Sequence, residues 1–110
     1  MTPADIKLMV ESVGIPTAYY QFAGKTKQQP PFICYFLGNG QDFIADNSNY
    51  VRADALYVEL YTDSKDFELE KRVETVLNSH ELVFEKQEVS LDSEHMHETI
   101  YTTNTTLEVQ

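Results

Sequence analysis

The sequence predicts an α+β fold: a single antiparallel-rich sheet with two helices packed on one face, in the order α-β-β-β(-β)-α-β-β. Three observations carry this. Two segments, at the start of the chain and over about residues 65–77, place apolar residues at helical spacing. Between and after them lie runs in which apolar and aromatic residues alternate or follow one another, the mark of strands. No repeat, heptad or linker-like stretch divides the 110 residues, so 1–110 reads as one domain. A domain of that size buries roughly two-thirds of its unfolded surface.

The first helix follows from "TPADIKLMVESVG". Thr2 is a capping residue, Pro3 suits the first helical position, and Asp5 meets the positive end of the helix dipole. Ile6, Met9, Val10 and Val13 form one stripe, Gly14 stands at the C-terminal cap, and Pro16 lies just beyond. "TAYYQF" (17–22) is a short strand, and the polar loop 23–31 projects from the domain. "FICYFL" (32–37) reads as a central strand covered on both faces. "GNG" and "DNSN" are turn signals that bracket "QDFIA", so 38–49 is expected to be a projecting hairpin.

From Tyr50 the alternation is long. Leu56, Val58 and Leu60 point toward the helices, whereas Tyr57, Glu59 and Tyr61 point away. Asp63 or Ser64 is expected to cap the second helix, whose stripe is Leu69, Val73, Val76 and Leu77, with Phe67 an outlier. Two strands complete the sheet. The first covers about 81–89 with Leu82 and Phe84; the second covers about 95–103 with Met96, Ile100 and Tyr101.

Eighteen acids against 8 bases leave a net charge of −10, which repels phosphate backbones and argues against sequence-specific nucleic-acid binding. Cys34 is the sole cysteine, so no intrachain disulfide forms, and its apolar surroundings predict a buried, inert thiol. No apolar stretch nears the roughly 20 residues that cross a bilayer, and no leader-like segment opens the chain. A cytoplasm-like compartment and no membrane partner are the expectation.

Three clusters invite a chemical reading. Asp63, Asp66, Glu68, Glu70 and Glu74 crowd the start of the second helix. Acid-base catalysis needs two carboxylates converging on a cleft, whereas these are explained by the helix end they occupy, with Glu70 and Glu74 either pairing with Lys71 and Arg72 or simply facing water. His95 and His97 stand two apart on an expected strand, half of a zinc or nickel site, with His80 or a glutamate as third ligand. "DNSNY" lacks the glycine and glutamate of a calcium loop, and no phosphate loop or nucleophile elbow is present. No catalytic residue or cofactor is assigned. What remains is an outward aromatic ladder, Tyr57 and Tyr61 with Tyr101, on a face whose composition is that of an interface core.

The pieces "PPFICYF", "FIADNSNY" and "VELYTDSKDFELE", within nearly the whole chain, resemble small phage and prophage tail completion proteins of Gram-positive bacterial phages. These include tail terminator and head–tail joining proteins. The resemblance implies a self-assembling ring, most often a hexamer, that caps the tail tube and meets the head connector without catalysis or cofactor. It implies a place in the virion, after assembly in the host cytoplasm. The hairpin and sheet would then contact neighbouring subunits, through Phe43, Asn49, Tyr50, Tyr57, Glu59, Tyr61 and Tyr101. Three alternatives stay open: another small connector or minor tail component, a metal-binding or regulatory domain using His95 and His97, and a small hydrolase with carboxylates at the helix junction.

Overall fold

A computed structural model describes residues 1–22, 28–39 and 50–108. It shows an α+β domain of two helices, α1 (Pro3–Glu11) and α2 (Phe67–Ser79), on a five-stranded mixed sheet whose strands lie in the order β1 (Thr17–Tyr19), β2 (Phe32–Asn39), β3 (Tyr50–Thr62), β5 (Met96–Glu108) and β4 (Phe84–Leu91). The expected hairpin beyond Asn39, with Phe43 and Asn49, and most of the loop 23–31 lie outside the described residues.

Helix α1 (Pro3–Glu11) begins as its sequence dictates. The Thr2 hydroxyl accepts the Asp5 N–H at 3.1 Å, and the Asp5 carboxylate accepts the Thr2 N–H at 2.9 Å. This reciprocal box satisfies two of the donors that a helix start leaves orphaned. The box also holds the Asp5 carboxyl below its usual range. Ile6, Met9 and Val10, with Val13 just past the helix, are buried. Gly14 then takes φ +93°, a backbone that side chains rarely adopt, and Arg72 donates from α2 to the Val13 carbonyl beside it.

Strand β1 (Thr17–Tyr19) pairs in parallel with β2 (Phe32–Asn39), which makes the sheet mixed. Strands β3 (Tyr50–Thr62), β4 (Phe84–Leu91) and β5 (Met96–Glu108) all pair antiparallel with their neighbours. The register of β2 on β3 shifts between Gly38 and Asn39. At Gly38 a Cβ would come within 3.1 Å of the Tyr57 ring. The core lies between helices and sheet: Ile33 and Tyr35 from β2, Leu56, Val58 and Leu60 from β3, and Tyr101 from β5 meet the α1 stripe. They also meet Leu69, Val73 and Leu77 of α2.

Helix α2 (Phe67–Ser79) starts later than expected, and its cap is Asp66, not Asp63 or Ser64. The Asp66 carboxylate accepts the Leu69 N–H at 3.0 Å, while the preceding Lys65 turns to the sheet to meet Glu70 and Glu88. The last two strands also start later than their sequence suggests. Glu81 takes a positive φ and the Leu82 N–H returns to the Leu77 carbonyl, which keeps both in the helix exit. A 3-10 turn over Asp92–Glu94 leaves His95 in the left-handed region, so β5 begins only at Met96.

Candidate assembly face

The sheet has one face under the two helices and one that, among the described residues, no helix covers. Cross-strand partners show which residues share the open face. Phe36 lies opposite Tyr57, Cys34 opposite Glu59 and Phe32 opposite Tyr61, and on the other side of β3 Glu59 faces Ile100 and Tyr61 faces Glu98. Tyr57, Glu59 and Tyr61 therefore project away from the helices, as the alternation predicted. Phe36 and Tyr57 stack with ring centroids 4.8 Å apart and planes 15° apart, and Phe32 and Tyr61 stack at 4.7 Å and 17°. Tyr20 and Phe22 extend the two stacks, at 5.5 Å from Phe36 and Phe32. Offset aromatic pairs of this kind add about 0.5–1.5 kcal/mol each beyond their buried area.

These stacks explain why β2 reads as a strand covered on both faces. Phe32 and Cys34 are only 9% and 6% exposed, although neither described helix lies over them. The sequence reading of 32–37 as a central strand covered on both faces does not assign Phe32, Cys34 and Phe36 to the face away from the helices. The signal was present, because Phe32, Cys34 and Phe36 alternate with the core residues Ile33 and Tyr35.

Between the stacks lies an acidic centre. The Tyr61 hydroxyl donates to Glu59 Oε1 at 3.3 Å, and the buried Glu98, opposite Tyr61 on β5, lies diagonally beside Glu59 on the same face. Burial, and then the like charge of Glu98, push the Glu59 carboxyl above its usual range. Burial and the same two carboxylates push the Cys34 thiol up to about 11, so it stays protonated and unreactive near neutral pH, as expected. Tyr61 is raised for the same reasons.

Tyr101 has to be moved off this face. It is fully buried on the helix side, opposite Val58 of β3 and Lys86 of β4, and its ring packs edge-on against Phe84 at 5.3 Å. Its hydroxyl is satisfied there by donating to Glu74 Oε2 at 2.8 Å. Ile100, opposite Glu59, lies on the face away from the helices, so its neighbour Tyr101 points to the helix side. Tyr50 opens β3 opposite Glu108, and its side chain lies outside the described residues, as do Phe43 and Asn49.

The acidic helix start behaves as scaffold, with one correction. Glu70 is buried and pairs with Lys65 at 2.8 Å and Lys86 at 2.7 Å rather than with Lys71 and Arg72. Burial alone would raise its carboxyl, but the two ammonium groups outweigh it and hold the pKa below the usual range. Glu74 joins the same network through Lys86 at 2.9 Å. The network ties α2 to β4 and β5.

The three histidines do not converge. His80 closes the end of α2, with Nδ1 3.0 Å from the Val76 carbonyl, and His95 is exposed in its turn. His97 instead contacts Glu88 at 3.0 Å. Among the described residues, His97, Glu88 and Glu70 do bring one ligand atom each within 4.8 Å of one another. The Lys65 ammonium already bridges the two carboxylates there and supplies the positive charge a metal would bring.

Fold and face together define an α+β domain with one aromatic sheet face that neither described helix covers. Against known proteins, no family model, curated protein or solved structure matches the chain.

Proposed function

We propose that this protein is a non-enzymatic virion assembly protein of the tail terminator or head–tail joining kind, forming a ring that caps the phage tail tube and joins it to the head. Its partners are then further copies of itself, most often in a hexamer, together with the tail tube protein and the head connector. The observation that carries the reading is the open sheet face. Two aromatic stacks are built on the side of the sheet that no described helix covers, a composition that suits the centre of a protein interface. The resemblance of "PPFICYF", "FIADNSNY" and "VELYTDSKDFELE" to tail completion proteins supplies the particular assembly. The acidic charge suits a ring through which DNA passes without adhering. No helix among the described residues is long and apolar enough to cross a membrane. Residence in the virion, after assembly in the host cytoplasm, belongs to the same proposal.

Size-exclusion chromatography with light scattering tests it. The expected species has several times the 12.7 kDa of one chain, alone or once the tube protein is added, and it appears as rings in negative stain. Tyr57→Asp, which puts a charge into a stack without touching the helix-side core, should disperse it. A chain that stays monomeric at high concentration both with and without tube protein refutes the reading.

A further inference from the structure

Copies of a chain with net charge −10 repel one another unless a cationic surface of one meets an acidic surface of the next. The helix side of the domain offers a cationic surface. Between the end of α1 and the side of α2 lies a groove of about 540 Å³ with Val13 and Val76 as its apolar floor. Lys71 and Arg72 line it together with Ser12 and Thr75, and Glu68 is its single acid. Among the described residues, Lys65 and Lys86 are spent on Glu70, Glu74 and Glu88, but neither Lys71 nor Arg72 pairs with a carboxylate. Arg72 gives one donor to the Val13 carbonyl, which holds its guanidinium at the groove with the rest of the fork unspent.

The complementary shape lies beyond the other end of α2. Val83 is the most exposed of the described large hydrophobic side chains, at 87%, and stands between Glu81 and Glu85 in sequence. All three border one hollow at the start of β4, and among the described residues neither glutamate has an ion pair. The backbone that presents them is fixed. The Glu81 N–H donates to the Asn78 carbonyl and the Leu82 N–H to the Leu77 carbonyl, while Leu82 and Phe84, on either side of Val83, pack against the core. An apolar side chain held out beside two carboxylates thus matches an apolar floor beside two cations.

We propose that Val83 of one copy seats in the groove between α1 and α2 of the next, with Glu81 and Glu85 set against Lys71 and Arg72. The two surfaces share no residue, so the contact runs head to tail. Such a contact builds a ring when the rotation between copies closes and a filament when it does not. Its apolar centre supplies the burial, and its charged rim fixes the orientation and offsets the repulsion between acidic copies. The inference rests on the reading of this chain as a self-assembling protein and adds the two surfaces by which copies meet on the helix side.

The test pairs two variants, each of which blocks one half of the contact. Val83→Asp blocks the projection, and Lys71→Glu combined with Thr75→Glu blocks the groove. All three residues are exposed, so both variants should melt within about 3 °C of the parent. In analytical ultracentrifugation, each should raise the concentration at which the assembly dissociates about tenfold or more. At concentrations where both variants are monomeric alone, an equimolar mixture should give a species of about twice 12.7 kDa, because one intact groove meets one intact projection. An assembly that either variant leaves unchanged, or a mixture that stays monomeric, overturns the proposal and leaves the assembly reading standing. Open filaments in place of rings, with the mixture still pairing, do the reverse. A parent chain that never assembles, with or without tube protein, overturns both.

Discussion

Replacing Glu70 by glutamine probes how α2 is held to the sheet. The carboxylate is 3% exposed at its side chain and receives both the Lys65 and Lys86 ammonium groups, whereas each lysine is about one-third exposed (32% and 33%). Breaking a fully buried pair costs about 3–5 kcal/mol, and an exposed pair contributes about 0–1 kcal/mol. A buried acid with half-solvated partners falls between, so Glu70→Gln should destabilise the fold by about 2 kcal/mol near neutral pH. The new amide cannot recover this. Glu70 Oε2 is buried without a hydrogen-bond partner, so an NH2 placed there stays unsatisfied, and one placed at Oε1 faces two cations.

The loss should depend on pH in a defined direction. Glu70 has a depressed carboxyl pKa in the fold, so its contribution is fully present above the unfolded value of about 4.3 and disappears as pH falls through the lower folded value. Urea unfolding followed by circular dichroism at pH 7 and pH 3 measures both ends. At pH 7 the melting temperature should fall by roughly 8 °C for a chain of this length, and at pH 3 the difference between variant and parent should shrink toward zero. A loss under about 0.5 kcal/mol at pH 7 would show that the network contributes no more than a surface pair. An equal loss at both pH values would show that the effect is packing, not charge.

Two further outcomes follow from backbone geometry. Asp66→Ala should cost about 1 kcal/mol in thermal or urea unfolding by removing the α2 cap, and Asp63→Ala, exposed and outside the helix, should change stability by less than about 0.5 kcal/mol. Gly14→Ala should cost about 1–3 kcal/mol, because the residue holds φ +93° and the added Cβ would come within 2.9 Å of the Arg72 guanidinium. The double variant with Arg72→Ala separates strain from collision: a penalty that persists belongs to the backbone.

The sequence by itself determined the elements whose signals are local. Thr2 with Asp5 marks the start of α1, the Ile6–Val13 stripe and Gly14 mark its course and exit, and the alternation through Leu56, Val58 and Leu60 assigns β3 its two faces. Such signals survive in isolation because helix caps and side-chain periodicity involve residues a few positions apart. What needed the tertiary structure was every assignment that depends on residues far apart in the chain. Asp66 caps α2 in place of Asp63 while Lys65, beside it, is drawn to Glu88 on β4, 23 residues away. Glu70 became a buried anchor once Lys86 arrived from the same strand. Tyr101 went to the core, not the ladder, because one turn residue more or less before β5 inverts every side chain that follows, and only the pairing with Val58 sets that register. The open face itself was half legible. Tyr57, Glu59 and Tyr61 could be read from alternation along one strand. Their stacking on Phe32 and Phe36 and the meeting of Glu59 with Glu98 could not, since a carboxylate pair on neighbouring strands exists only after the sheet has closed its register.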